Sequence, residues 1–230
     1  MKANTPSLIL YFLACILTVV LTFVGQESYL LYTKSLLLSS IFIYYLTTNN
    51  YKIDLIKGGI FLFSFIGDVF VLMRYVDSEI GSVLSFLIVY LLLIIPLVRG
   101  LKKIKFDKID VLSLISIIIV MIVLSITILS LPFENMKTDF SLIIVYSIVL
   151  SILICISVVK YITKSNFAFL NLLLMSLCFL FSDIFYVLNG FYLPLSAFSL
   201  IEISTQVFSY FFMVNYFIAN NKSIRKLNNN

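Results

Sequence analysis

Long apolar runs separated by short polar breaks dominate the chain. Eight such runs predict helices at about 8–24, 33–48, 55–73, 80–98, 110–131, 140–160, 167–189 and 196–219. Most approach the ~20 residues that cross ~30 Å of hydrocarbon at 1.5 Å rise per residue. The runs are continuously apolar, whereas a barrel strand alternates apolar and polar positions. Their β-branched residues are compatible with helix, because lipid forces backbone hydrogen bonds to close within each segment. The second run is the shortest, so a seven-span chain with a re-entrant second segment is the alternative. The predicted fold class is all-α: a polytopic bundle of eight transmembrane helices over residues 1–219, followed by a polar cytoplasmic tail at 220–230.

Composition changes this picture only by naming the solvent. The chain is 62% hydrophobic and 12% charged, with mean hydropathy +1.13, against about 25% charged for a soluble domain. Charge adds orientation. In the eight-span arrangement 13 of the 16 Lys and Arg residues fall on the N-terminal side, against Lys34, Arg74 and Lys137 on the other. The positive-inside rule then places both termini in the cytoplasm, in a plasma or inner membrane. Seven spans would spoil this asymmetry. The most basic segment, Arg99–Asp110, reads as a topology signal ahead of a lipid headgroup contact. The start, MKANTPSLIL, reads as an uncleaved first helix, since no small-residue cleavage site follows. A net charge of +5 with no folded basic domain gives no reason to expect a nucleic-acid partner. Histidine is absent, and Cys15, Cys155 and Cys178 all lie in apolar runs. Neither a metal site nor a cofactor is expected from these residues.

Three acids interrupt the spans: Asp68, Asp183 and Glu202. A carboxylate at mid-bilayer costs about 2.5–3.5 kcal/mol on insertion scales, so each needs a reason. Counting from the predicted span ends places all three about 9–10 Å below the non-cytoplasmic boundary. Lys34 and Tyr146 fall in the same layer. One reading is a structural salt-bridge cluster around Lys34. The other is a functional site, because two carboxyl groups confined in low dielectric do not both ionise, and one keeps a proton to give. Ser64 and Ser182 have no histidine to activate them, but each can hydrogen-bond a carboxylate. Gly67 permits close helix approach. Asn171, Gln206 and Asn215 read as interhelical hydrogen-bonding groups. Residues Leu62–Leu72 (LFSFIGDVFVL) are similar to Leu177–Leu188 (LCFLFSDIFYVL), with Asp68 and Asp183 115 positions apart in 230 residues. That spacing raises a tandem four-plus-four repeat.

The same residues resemble the YhhN family. Phe63-Ser64 and Gly67-Asp68 resemble its third-span signature, and Phe181-Ser182-Asp183 its Ser-Asp pair in span seven. Lys34 matches a lysine early in span two, and Val145-Tyr146 a Val-Tyr pair in span six. The resemblance implies an eight-span lysoplasmalogenase, which cleaves the vinyl ether of a lysophospholipid to a fatty aldehyde. Asp68 and Asp183 would be the catalytic pair, with Lys34, Ser64, Tyr90, Tyr146, Ser182 and Glu202 around them. A membrane lipid or lysophospholipid is then the expected partner. Two departures stand out. Tyr90 occupies the place of a family histidine. The final-span pattern Thr-Tyr-Tyr followed by Ala-Gln reads Ser209-Tyr210-Phe211 and then Met213-Val214, with Asn215 one place from the missing glutamine. A proton-coupled transporter using the same acids, and a non-catalytic lipid-binding member of the family, are the alternatives.

Overall fold

The computed structural model describes residues 4–73, 78–100, 107–132 and 140–228. Among the described residues there are eight α-helices and no strand. They are α1 (Thr5–Val24), α2 (Leu30–Thr48), α3 (Leu55–Met73), α4 (Ser78–Arg99), α5 (Lys108–Leu129), α6 (Phe140–Thr163), α7 (Phe167–Phe191) and α8 (Ser196–Asn228). All eight are long and apolar enough to cross a membrane, so the chain is an integral multi-pass membrane protein. Of the charges used to orient it, Lys2, Arg74, Lys102, Lys103, Lys105 and Lys137 lie outside the described residues, as do the side chains of Lys108, Arg225 and Lys226. The polar segment from Asn220, expected as a tail, continues α8 as helix to Asn228. Extending a formed helix fixes one residue per added hydrogen bond, so a stable span propagates into polar sequence.

Local chemistry sets the ends. Gly25 adopts φ +74° and stops α1, its N–H bonding to Thr22 O while Gln26 N bonds to Leu21 O. A β-carbon disfavours that left-handed conformation, and glycine has none. Asn166 caps α7 by accepting from Phe169 N at 2.9 Å. At the other end of α7, Asn189 accepts from Leu195 N at 3.1 Å and donates to Ser199 at 2.9 Å, which holds the α7–α8 turn closed. The start of α1 and the C-terminal part of α8 lie at one end of the bundle. There Asn4 donates to Thr48 at 3.1 Å, and Lys57 donates to Asn221 at 2.7 Å. The opposite, distal end is where α1, α3, α5 and α7 finish and α2, α4, α6 and α8 begin.

Six helices close into a ring: α2 packs on α3, α3 on α4, α4 on α6, α6 on α7, α7 on α8, and α8 on α2. Outside the ring, α1 lies against α2 and α8, and α5 lies against α6. Shifting every label by four maps the ring onto itself, the pairing that a tandem four-plus-four arrangement produces. Lipid is as apolar as leucine, so such helices are held by close packing and interhelical hydrogen bonds. The α3–α4 pair shows the packing. A β-carbon on Gly67 would come within 2.9 Å of the Phe86 ring, and one on Gly81 within 2.9 Å of the Phe70 ring. Each helix thus receives an aromatic ring of the other over a glycine. The core sits inside the ring, with Tyr90, Phe179, Tyr210 and Met213 buried.

Candidate active site

The polar layer separates into two networks, each built on one aspartate. In the first, Lys34 on α2 donates to Gln206 Oε1 on α8 at 2.7 Å and lies 3.8 Å from Asp68 Oδ1 on α3. Gln206 Nε2 donates to Asp68 Oδ1 at 2.7 Å, and Tyr210 donates to Asp68 Oδ2 at 2.9 Å. The Lys34 and Asp68 side chains are 5% and 4% exposed. Asp68 is thus enclosed by a cation and two neutral donors, as the salt-bridge reading anticipates.

In the second network, Tyr90 on α4 and Tyr146 on α6 both donate to Asp183 Oδ2 on α7, at 2.7 and 2.8 Å. Their hydroxyls are 3.2 Å apart. Each hydroxyl carries one proton, so the three oxygens hold two protons when Asp183 is ionised and three when it is not. Among the described residues both hydrogen bonds to Asp183 fall on Oδ2, leaving Oδ1 for whatever occupies the space beside it. Phe179 parts the networks, its ring centroid 5.3 Å from that of Tyr90 and 6.3 Å from that of Tyr210.

Helix direction explains how these tyrosines reach their acids. Side chains on a helix lean toward its N-terminus. Both α4 and α8 start at the distal end, so Tyr90 and Tyr210 lean back toward it. Both α3 and α7 run the other way, so Asp68 and Asp183 lean down to meet them. The exchange is reciprocal: the aspartate of each four-helix half is held by a tyrosine from the fourth helix of the other half. The second helix of each half supplies a further group, Lys34 or Tyr146, and the first network adds Gln206 from α8.

A cavity of about 120 Å³ opens beside Asp183. One water needs only ~10–15 Å³ of such space, so several waters or a stretch of hydrocarbon fit. Asp183, Tyr146, Ser182, Gln206 and Glu202 line it. Toward the distal end Glu79, Ser82 and Tyr186 add further polar groups, while much of the remaining wall is apolar. Asp68 does not line it and reaches it only through Gln206. Glu202 therefore shares the cavity with Asp183, and Asp68 stands behind the wall. Ser64, one turn before Asp68 on α3, is fully buried, and among the described residues its hydroxyl finds no hydrogen-bond partner, a carboxylate included. Asn171, expected to bridge helices, donates to Phe167 O of its own helix at 2.7 Å. Among the described residues no group of three or more His, Cys, Asp or Glu side chains is placed to hold a metal ion.

Gln206 and Tyr210 are the site residues that sequence reasoning did not assign. The signal was present: Glu202, Gln206 and Tyr210 are four residues apart and share one face of α8.

The family model described as the YhhN family matches residues 29–221, which is most of the chain. The chain belongs to the YhhN family. Searches of curated proteins and of solved structures return no match. The match begins after α1 and ends within α8, so both aspartate networks lie inside it.

Proposed function

We propose that this YhhN protein is a membrane-embedded hydrolase that cleaves the vinyl ether of a lysophospholipid. The observation that carries the reading is Asp183, fixed by two tyrosines on the wall of a mixed polar and apolar cavity within the spans. Vinyl-ether hydrolysis needs a proton on carbon and then water, and calls on no cofactor. Protonated Asp183 gives its proton to the alkenyl carbon remote from the ether oxygen, leaving an oxocarbenium ion. The resulting carboxylate is stabilised by the Tyr90 and Tyr146 hydroxyls, donors already in place before charge develops. Water then adds to the carbon bonded to oxygen and returns a proton to Asp183. The hemiacetal collapses to a fatty aldehyde and the glycerophospho alcohol. Asp68 acts at one remove, holding Gln206 and Lys34 in position. On the charge asymmetry, the cavity belongs to the non-cytoplasmic half of a plasma or inner membrane, with both termini cytoplasmic.

The test is aldehyde release from an alkenyl lysophospholipid by the purified protein in lipid vesicles. Asp183→Asn should abolish release while the helical circular dichroism spectrum persists. Wild-type release from that variant would sink the reading. Lysophospholipid binding without turnover in the native protein would favour a non-catalytic lipid-binding role, and proton-driven solute uptake a transporter.

A further inference from the structure

The two halves of the ring differ in how their outlying helices close. In the first half α1 packs on α2 and also on α8. Tyr11 is buried in that seam, donates its hydroxyl to Val207 O, and stacks on Phe211 with centroids 6.4 Å apart. The counterpart of α1 is α5, and the counterpart of α8 is α4. Yet α5 packs on α6 and, beyond marginal contact, on no other described helix. It buries Met121 and leaves Ile119, Ile122, Val123 and Ile126 exposed. Between α5 and α4 lies the cavity, with Met121, Leu124 and Ser125 on one wall and Ser82, Val83 and Phe86 on the other.

Length then decides where a substrate tail goes. Asp183 sits eight residues, about 12 Å, below the distal end of α7 at Phe191. The lowest cavity residue on that helix, Leu180, is only about 5 Å further down. A lipid chain fills half of the ~30 Å hydrocarbon core, about 15 Å. With its reacting bond at Asp183, such a chain is too long for the remaining depth and has to leave sideways. The cavity that Asp183 lines is also lined by Met121, Leu124 and Ser125 of α5 and by Ser82, Val83 and Phe86 of α4, and among the described residues α4 and α5 make no more than marginal contact, so the way sideways runs between them.

We propose that the gap between α4 and α5 is a binding channel for a single hydrocarbon chain. The chain passes from the Asp183 cavity into surrounding lipid, with α5 as its outer wall. Val83, Phe86, Met121, Leu124 and Ser125 select which chains fit. The proposal rests on reading the cavity as a lysophospholipid site, but it concerns occupancy and not turnover. A width of one chain also gives the site a means of rejecting two-chain lipids.

The test uses the full-length protein in phosphatidylcholine vesicles and an ester-linked lysophosphatidylcholine bearing a diazirine at its chain terminus. Photolabel should map to α4 and α5 and be competed by unlabelled lysophosphatidylcholine. Val83→Phe with Ser125→Phe, which fills the gap, should lower that labelling at least tenfold. Ile122→Phe, a similar change on the exposed face of α5, should leave it unchanged. Label concentrated on the α1–α8 groove at Tyr11 and Phe208, label spread over exposed residues without competition, or label indifferent to the filled gap overturns the proposal. Aldehyde release is scored separately on an alkenyl lysophospholipid. Competed label at α4 and α5 without aldehyde supports the channel and removes the hydrolase. Aldehyde with label elsewhere supports the hydrolase and removes the channel.

Discussion

Replacing Lys34 by methionine keeps much of the apolar stem and removes a charge from between three helices. Lys34 Nζ lies 3.8 Å from Asp68 Oδ1, with both side chains almost fully enclosed. At an effective dielectric of about 20 the gross attraction at that distance is about 4 kcal/mol. Much of this offsets the desolvation of the two ions. What the substitution leaves behind matters more: Asp68 keeps Gln206 and Tyr210 as donors but has no counter-charge, and Gln206 Oε1 loses its 2.7 Å donor. Removing one partner of a buried pair costs about 3–5 kcal/mol, or about two to three and a half decades in the folding equilibrium. Asp68→Asn should destabilise for the same reason, with the lysine stranded instead. The double variant buries neither charge, so its loss should fall short of the sum by roughly 2 kcal/mol or more. Reversible unfolding of the four proteins in mixed micelles titrated with a denaturing detergent, followed by helical circular dichroism, measures the cycle. Additivity within about 0.5 kcal/mol would mean that Lys34 and Asp68 do not support each other, and the first network would have to be abandoned.

Three further outcomes are expected. Tyr90→Phe and Tyr146→Phe should each slow aldehyde release about 10- to 100-fold, for the loss of a charge-assisted hydrogen bond worth about 1.5–3 kcal/mol. The double variant should fall short of the product, because both hydroxyls serve Asp183 Oδ2; a full product would place them at independent tasks. Ser64→Ala removes a buried hydroxyl that has no partner among the described residues, so it should leave stability unchanged or raise it by up to about 1 kcal/mol, and a clear loss in the same micelle titration would assign that hydroxyl a role. In intact cells of a cysteine-free version, Gln26→Cys should react with an impermeant thiol reagent while Lys52→Cys reacts only after permeabilisation; the reverse pattern would overturn the orientation drawn from charge.

The eight helices were legible because hydrocarbon imposes one length and one composition on anything that crosses it. The acids were legible for the same reason: Asp68, Asp183 and Glu202 are conspicuous in an apolar run wherever they point. Their division was not. Equal depth suggested one layer, and only packing placed Phe179 between Tyr90 and Tyr210, enclosed Asp68 behind Gln206, and left Asp183 with Glu202 on an open wall. Gln206 and Tyr210 stand four residues apart on α8, but nothing along the chain says that their face turns toward α3. The gap beside α5 was equally silent, since its residues are as apolar as those of α1, which closes on α8. In water a helix records its buried side as an apolar stripe. In lipid both sides are apolar, so the chain by itself determines how many helices there are and which charges need partners, and tertiary packing decides which faces turn inward and whom those charges meet.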